Sequence, residues 1–171
     1  EDKIIKIFSK KINSLYNAKL PKIYREKKYH LKKKDIKLLN DNGYLILKNA
    51  LSNKLCNLLQ KKIISLTKKE KKNRNAYVYG SGKLQRVYHL INKGKIFQDL
   101  LFHPLIKQVC DSVFDRDTFH DKYYLSSWHA NILYPGAESQ KIHVDVNVPN
   151  PLPKWPVRMN VNLVTQNYTK L

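Results

Sequence analysis

The chain has 171 residues, 42 % of them hydrophobic and 11 % aromatic, enough apolar material for a core, which excludes a wholly disordered basic protein. Two cysteines, Cys56 and Cys110, cannot build a disulfide framework or a zinc ribbon and point to a reducing compartment, read as the cytoplasm. No apolar run reaches the roughly 18 residues of a membrane span and no signal peptide is visible; with Glu1 in place of Met, the expectation is a stretch trimmed at its ends, a trimming that could have taken a targeting segment with it.

The net charge of +20 is unevenly placed. Residues 1–83 hold 23 basic and 6 acidic side chains, residues 84–171 hold 10 and 7. Of the basic residues 28 are Lys and 5 are Arg, beside 16 Asn, the bias of an AT-rich coding sequence. Readers of nucleic acid favour the bidentate Arg fork. The favoured reading is therefore a solvated Lys-rich surface, and the alternative is steering of an anionic partner: a phosphate-bearing substrate, a nucleic acid or an acidic membrane.

In chain order, Ile4, Ile5, Phe8, Ile12 and Leu15 fall on one face of a helix. Residues 19–34 are too charged for a core element, so 1–34 reads as a helix plus a Lys-rich arm, separate from a domain over 35–171. A short helix from Asp35 to about Asn42 stops at Gly43, and Tyr44–Leu47 has the composition of a strand. Ser52 caps a longer helix in which Leu55, Leu58, Leu59, Ile63 and Leu66 form one stripe while Lys61, Lys62, Lys68 and Lys69 face water.

Tyr77–Tyr79 is a strand candidate. Gly80-Ser81-Gly82-Lys83 lacks the spacing of a phosphate loop and reads as an ordinary loop, and strand-like Gln85–Tyr88 follows it. Helices are expected near 96–102 and 105–114, separated where Pro104 forces His103 extended. Strand-formers then alternate with turn signals: Tyr123–Leu133, the turn Pro135-Gly136, Gln140–Asp145, the Pro-rich stretch 148–156 and Val157–Thr165. Helices lead and an antiparallel region follows, an α+β class with the sheet unfinished at Leu171.

The sharpest local feature is His143-Val144-Asp145. On a strand, residues i and i+2 face the same way, so an imidazole and a carboxylate converge. Together they are two thirds of the 2-His-1-carboxylate set that holds Fe(II) with open positions. Taken alone the triplet fits equally a His oriented by a hydrogen-bonded Asp.

Its surroundings are more specific. Asn131-Ile-Leu-Tyr-Pro135-Gly136-Ala-Glu-Ser-Gln140-Lys-Ile-His143-Val-Asp145, with Asn42-Gly43-Tyr44-Leu-Ile-Leu ahead of a long helix, resembles the phytanoyl-CoA dioxygenase family of Fe(II)- and 2-oxoglutarate-dependent oxygenases over residues 35–171. The resemblance implies N-terminal helices packed on a double-stranded β-helix (jelly roll). It implies His143 and Asp145 as catalytic iron ligands, and Asn131, Arg86, Asn160 and Asn162 as residues that contact 2-oxoglutarate or line its pocket. Gln140 and His129 are expected in substrate or supporting roles. The co-substrates implied are 2-oxoglutarate and O2, the product a hydroxylated small molecule, with succinate and CO2 released. Asp145 favours hydroxylation, since related halogenases carry a small residue there.

One departure stands beside the match. The family's second ligand His, in a "PGSH"-like segment followed by an Arg, has no counterpart between Asp145 and Leu171. The expectation is that the C-terminal half of the jelly roll is missing from this stretch, since an open half-barrel leaves unpaired edges. Three rivals to the oxygenase are a catalytically inactive relative serving as a binding module, a basic nucleic-acid binder using residues 19–34 and 61–83, and a structural or partner-recognition role for the N-terminal helix, whose exposed lysines and apolar stripe could dock elsewhere. The substrate class stays broad (acyl-CoA, amino acid or other metabolite), because one scaffold serves many.

Overall fold

The computed structural model describes residues 30–114, 123–145, 150, 151, 153, 154 and 156–167. The amphipathic segment at 4–15, all but the end of the Lys-rich arm and part of the Pro-rich 148–156 stretch lie outside the described residues.

Helix α1 spans Lys33–Asn42 and ends at Gly43, whose φ of 74° is the left-handed C-cap that a side chain would strain. Helix α2, Asn53–Lys72, starts where Ser52 Oγ accepts from the Leu55 amide at 3.2 Å. Strands β1 (Tyr77–Tyr79) and β2 (Leu84–Val87) follow, then a 3-10 turn at Leu90–Asn92. Helices α3 (Lys95–Leu101) and α4 (Pro104–Phe114) and strand β3 (Ala130–Leu133) complete the order. The three strands form one antiparallel sheet, β1-β2-β3, with β2 at the centre. Helices leading into a small antiparallel sheet fit the α+β expectation.

Residues 80–83 are a hairpin loop, as their composition suggests. Gly80, Ser81 and Gly82 all take positive φ, and the Lys83 amide closes the turn on the Gly80 carbonyl at 3.0 Å. A Cβ on Gly80 would lie 2.6 Å from Leu84 Cδ1, so glycine is there for close approach. The Pro135-Gly136 turn also forms: the Ala137 amide donates to Tyr134 O at 3.0 Å, with Gly136 at φ 76°.

The core is the seam between α2, β2 and α3. Leu55 and Leu59 meet Val87, Leu90, Phe97 and Leu100, with Ile63, Leu66, Trp128, Ala130, Ile132 and Leu163 packed around them. The Trp128 indole N–H, which needs a partner when buried, donates to Phe97 O at 3.1 Å. Two buried polar residues are fully paired. Gln85 Nε2 donates to Thr67 O on α2 at 3.3 Å while its Oε1 accepts from the Tyr134 hydroxyl at 3.0 Å, tying helix to sheet. His103, 1 % exposed, accepts at Nδ1 from the Leu105 amide (3.2 Å), so Nε2 carries the proton and donates to Ala50 O (3.1 Å).

Three expected strands and the first part of a fourth do not form ladders. Among the described residues Tyr44–Leu47, Gln140–Asp145 and Val157–Thr165 carry no strand pairing, and of Tyr123–Leu133 only 130–133 pairs, as β3. Alternation of apolar and polar residues makes a strand only where a neighbour takes its N–H and C=O groups. Ile46, Ile142 and Val144, the apolar members of that alternation, stand exposed in these segments. The 157–167 segment is nevertheless anchored: Leu163 packs on the core, and Gln60 of α2 donates its amide to Thr165 O.

Truncating Phe97 to Ala at the centre of the seam should cost about 3–5 kcal/mol, whereas Ile142→Ala should stay within about 0.5 kcal/mol; urea midpoints of both variants check this. Burial, aided by Asp111 and opposed by Lys107, pushes the Cys110 thiol from 9.0 up to about 11. At pH 8 its alkylation in the native protein should therefore run about a hundredfold slower than for an unperturbed thiol, as timed iodoacetamide labelling with mass spectrometry would show.

Candidate active site

The pleat of β2 divides its side chains. Gln85 and Val87, opposite Ile132 and Ala130 of β3, face the helices; Leu84 and Arg86, opposite Leu133 and Asn131, face the other way. Tyr77 and Tyr79 of β1 share that outer face through their pairing with Arg86 and Leu84. An Arg, an Asn and several Tyr thus come together on the side of the sheet away from the core.

Arg86 is held there by three neutral acceptors. Its Nε donates to Asn131 Oδ1 at 2.7 Å, Nη1 to the Tyr88 hydroxyl at 3.3 Å and Nη2 to the Tyr79 hydroxyl at 3.2 Å. The Tyr79 and Tyr88 rings lie 5.5 and 5.6 Å from the guanidinium carbon, within cation–π range, and Tyr77 meets Tyr88 edge-on at 5.3 Å. Among the described residues no carboxylate neutralises this guanidinium. A fixed, uncompensated fork is suited to a carboxylate or phosphate.

His129 sits two residues before Asn131, its ring 5.8 Å from that of Tyr88. Its Nδ1 is buried without a hydrogen-bond partner among the described residues. Burial first, then the positive charges of Arg86 and Arg158, hold this imidazole below its ordinary value, against a weaker opposite pull from Asp145. The charges that act on His129 thus come from the Arg86 cluster and from a second one beside it.

That second cluster is His143 with Asp145. Although no ladder orients them, His143 Nε2 lies 3.2 Å from Asp145 Oδ1, both side chains about half exposed. His143 Nδ1 is 2.7 Å from Lys141 O. A carbonyl only accepts, so Nδ1 carries a proton and Nε2 is the nitrogen turned to the carboxylate. Two lone-pair atoms at that separation require a cation between them, a proton or a metal. The Lys141 carbonyl, then Asp145, accordingly raise the affinity of His143 for a proton. Asp145 is held in turn from 158–160: Arg158 Nη1 donates to its main-chain oxygen at 2.9 Å, and Asn160 Nδ2 donates to Oδ2.

Imidazole nitrogen and carboxylate oxygen are the donor types of Fe(II), Mn(II) and Zn(II) sites, so this pair fits such an ion. Among the described residues no third His, Cys, Asp or Glu joins them.

Of the residues singled out in the sequence, His143 with Asp145 and Arg86 with Asn131 are brought into contact, His129 lies between the two pairs, and Asn160 reaches Asp145. Asn162 and Gln140 are exposed, and no hydrogen bond ties either to these clusters. Sequence reasoning missed Tyr79, Tyr88 and Arg158. Each had a signal: Tyr88 stands two after Arg86, Tyr79 lies on the facing strand of the same hairpin, and Arg158 stands two before Asn160.

His129 binds its proton less readily in the folded than in the unfolded chain, so the unfolded state takes up more protons as pH falls through about 6.5. Stability contributed there is present above that pH and lost below it. Urea midpoints between pH 7.5 and 5.5 should consequently fall less for His129→Gln than for the wild type.

No curated protein and no solved structure matches the chain. The model of the phytanoyl-CoA dioxygenase family, whose members are in general Fe(II)- and 2-oxoglutarate-dependent oxygenases, matches residues 39–163. That span contains α2, the whole sheet and both clusters, and the chain belongs to the phytanoyl-CoA dioxygenase family.

Proposed function

We propose that this protein is a non-haem Fe(II)- and 2-oxoglutarate-dependent dioxygenase that hydroxylates a small, anionic organic substrate, within a jelly-roll domain over residues 35–171. The observation that carries the reading is the placement of His143 Nε2 beside Asp145 Oδ1 with the other imidazole nitrogen already engaged by Lys141 O. His143 and Asp145 would hold the metal. The chemistry supplied when Fe(II), 2-oxoglutarate and O2 are bound is oxidative decarboxylation to succinate and CO2, coupled to hydroxylation of a substrate C–H bond.

The chain's own residues then bind and orient. Arg86, kept charged and fixed by Asn131, Tyr79 and Tyr88, supplies a seat for a carboxylate of the co-substrate, with Asn131 as the neutral donor at its side. His129, buried at Nδ1 and held neutral, offers a hydrogen bond to substrate without adding charge. The tyrosine rings exclude water from one side of that seat. The count of two protein donors among the described residues favours one rival, a family member that keeps the fold as a binding module without metal.

Mn(II) titration separates the two. The oxygenase reading expects saturable binding by the wild type, weakened at least about tenfold in His143→Ala and in Asp145→Ala, and Fe(II)-dependent conversion of 2-oxoglutarate to succinate. Arg86→Ala should raise the KM for 2-oxoglutarate while leaving Mn(II) binding in place. Absence of Mn(II) binding by the wild type would overturn the oxygenase reading in favour of the binding module.

A further inference from the structure

The two oxygens of Asp145 are not equivalent. Oδ1 faces His143 Nε2 at 3.2 Å, whereas Oδ2 accepts the side-chain amide of Asn160. Arg158, two residues earlier on the same segment, donates to the Asp145 main-chain oxygen at 2.9 Å. Residues 158 and 160 thus grip main chain and side chain of Asp145 together. The grip has a fixed base: Leu163 packs on the core, and Gln60 of α2 holds Thr165 O.

We infer that Asn160 is a positioning residue that occupies Asp145 Oδ2 and leaves a single carboxylate oxygen, Oδ1, beside His143 Nε2 for a divalent cation. This inference rests on the reading of His143 and Asp145 as metal donors.

The chemistry favours an amide at this position. A donor to Oδ2 stabilises the ionised carboxylate, yet Asn carries no charge, so it does not repel an incoming cation as Lys or Arg would. Arg158 obeys the same restriction by placing its guanidinium on the main-chain carbonyl rather than on the carboxylate. With Oδ2 taken, the carboxylate binds through one oxygen, and more of the metal's positions stay open for other ligands. Asn162, two residues further on and also exposed, makes no hydrogen bond to Asp145 among the described residues, and provides an internal control.

The test is the Mn(II) dissociation constant of the full chain, measured calorimetrically for the wild type, Asn160→Leu, Asn160→Ala and Asn162→Leu, with thermal midpoints recorded in parallel. Asn160 is exposed, so its variants leave the core intact. Both Asn160 variants should bind Mn(II) about 10–100-fold more weakly with unchanged midpoints, and Asn162→Leu should bind within about twofold of the wild type. The Co(II)-loaded Asn160 variants should also show a shifted visible absorption spectrum, because the freed Oδ2 changes how the carboxylate binds. Unchanged affinity and spectrum in the Asn160 variants, or an equal loss in Asn162→Leu, would overturn the positioning role while leaving the metal reading intact. Failure of the wild type to bind Mn(II) is a different result, which removes the metal reading and this inference with it.

Discussion

The burial of one face of β2 against α2 is the constraint on which the rest of the structure depends. Val87 is fully buried among Leu55, Leu59 and Phe97, and Gln85 beside it spends its amide on Thr67 O of the helix and its carbonyl on the Tyr134 hydroxyl. Since strand side chains alternate, fixing Gln85 and Val87 inward commits Arg86 to the opposite face. A slip of one residue in β2 would bury a guanidinium in the core seam and expose Val87. The hydrophobic term and the desolvation cost of Arg therefore enforce the same register, and that register places Arg86 opposite Asn131.

The second half of the site is built differently. His143 and Asp145 belong to no ladder, and their neighbours Ile142 and Val144 are exposed, so packing does not hold them. Polar contacts do: Lys141 O on the imidazole, Asn160 on the carboxylate, Arg158 on the main chain. A network made of half-exposed hydrogen bonds is softer than a core, since water competes for every partner. The oxygenase reading thus pairs a rigid seat for an anion on the sheet with a pair of metal donors whose geometry a bound cation would tighten.

Legibility followed the source of the stabilisation. Helices α1 and α2 were readable to within a residue or two because their signals are local: Gly43 as stop, Ser52 as cap, and a leucine stripe at helical spacing. The Gly80–Lys83 loop was readable for the same reason. Strands were readable only where a partner existed. Tyr77–Tyr79 and the Gln85–Val87 stretch pair with each other, while Tyr44–Leu47 and Val157–Thr165 have equal propensity and no ladder. At the site, His143 with Asp145 was visible because two residues of spacing bring side chains together even without a sheet. The contacts of Arg86 with Tyr79, and of Arg158 with Asp145, cross loops whose closure no local pattern encodes. Asn160 was legible as a polar residue aimed at the site, but its partner was not.

The charge distribution takes on a more specific meaning at the site than over the chain as a whole. The lysines of α2 are exposed on the face opposite the core, which is what a soluble helix face requires and carries no chemistry by itself. Around His129, by contrast, the fixed charges are two guanidinium groups, Arg86 and Arg158, against the single carboxylate of Asp145. A divalent cation between His143 and Asp145 would raise that excess of positive charge further. Only anionic ligands restore balance in a partly desolvated site, and a dicarboxylate co-substrate on Arg86 supplies two negative charges. Some positive excess would still be left over beside His129, which is held neutral first by its burial and then by those same arginines. On the oxygenase reading, a preference for an anionic substrate would follow from these two arginines and the cation beside them, and it would persist if every exposed lysine of α2 were removed.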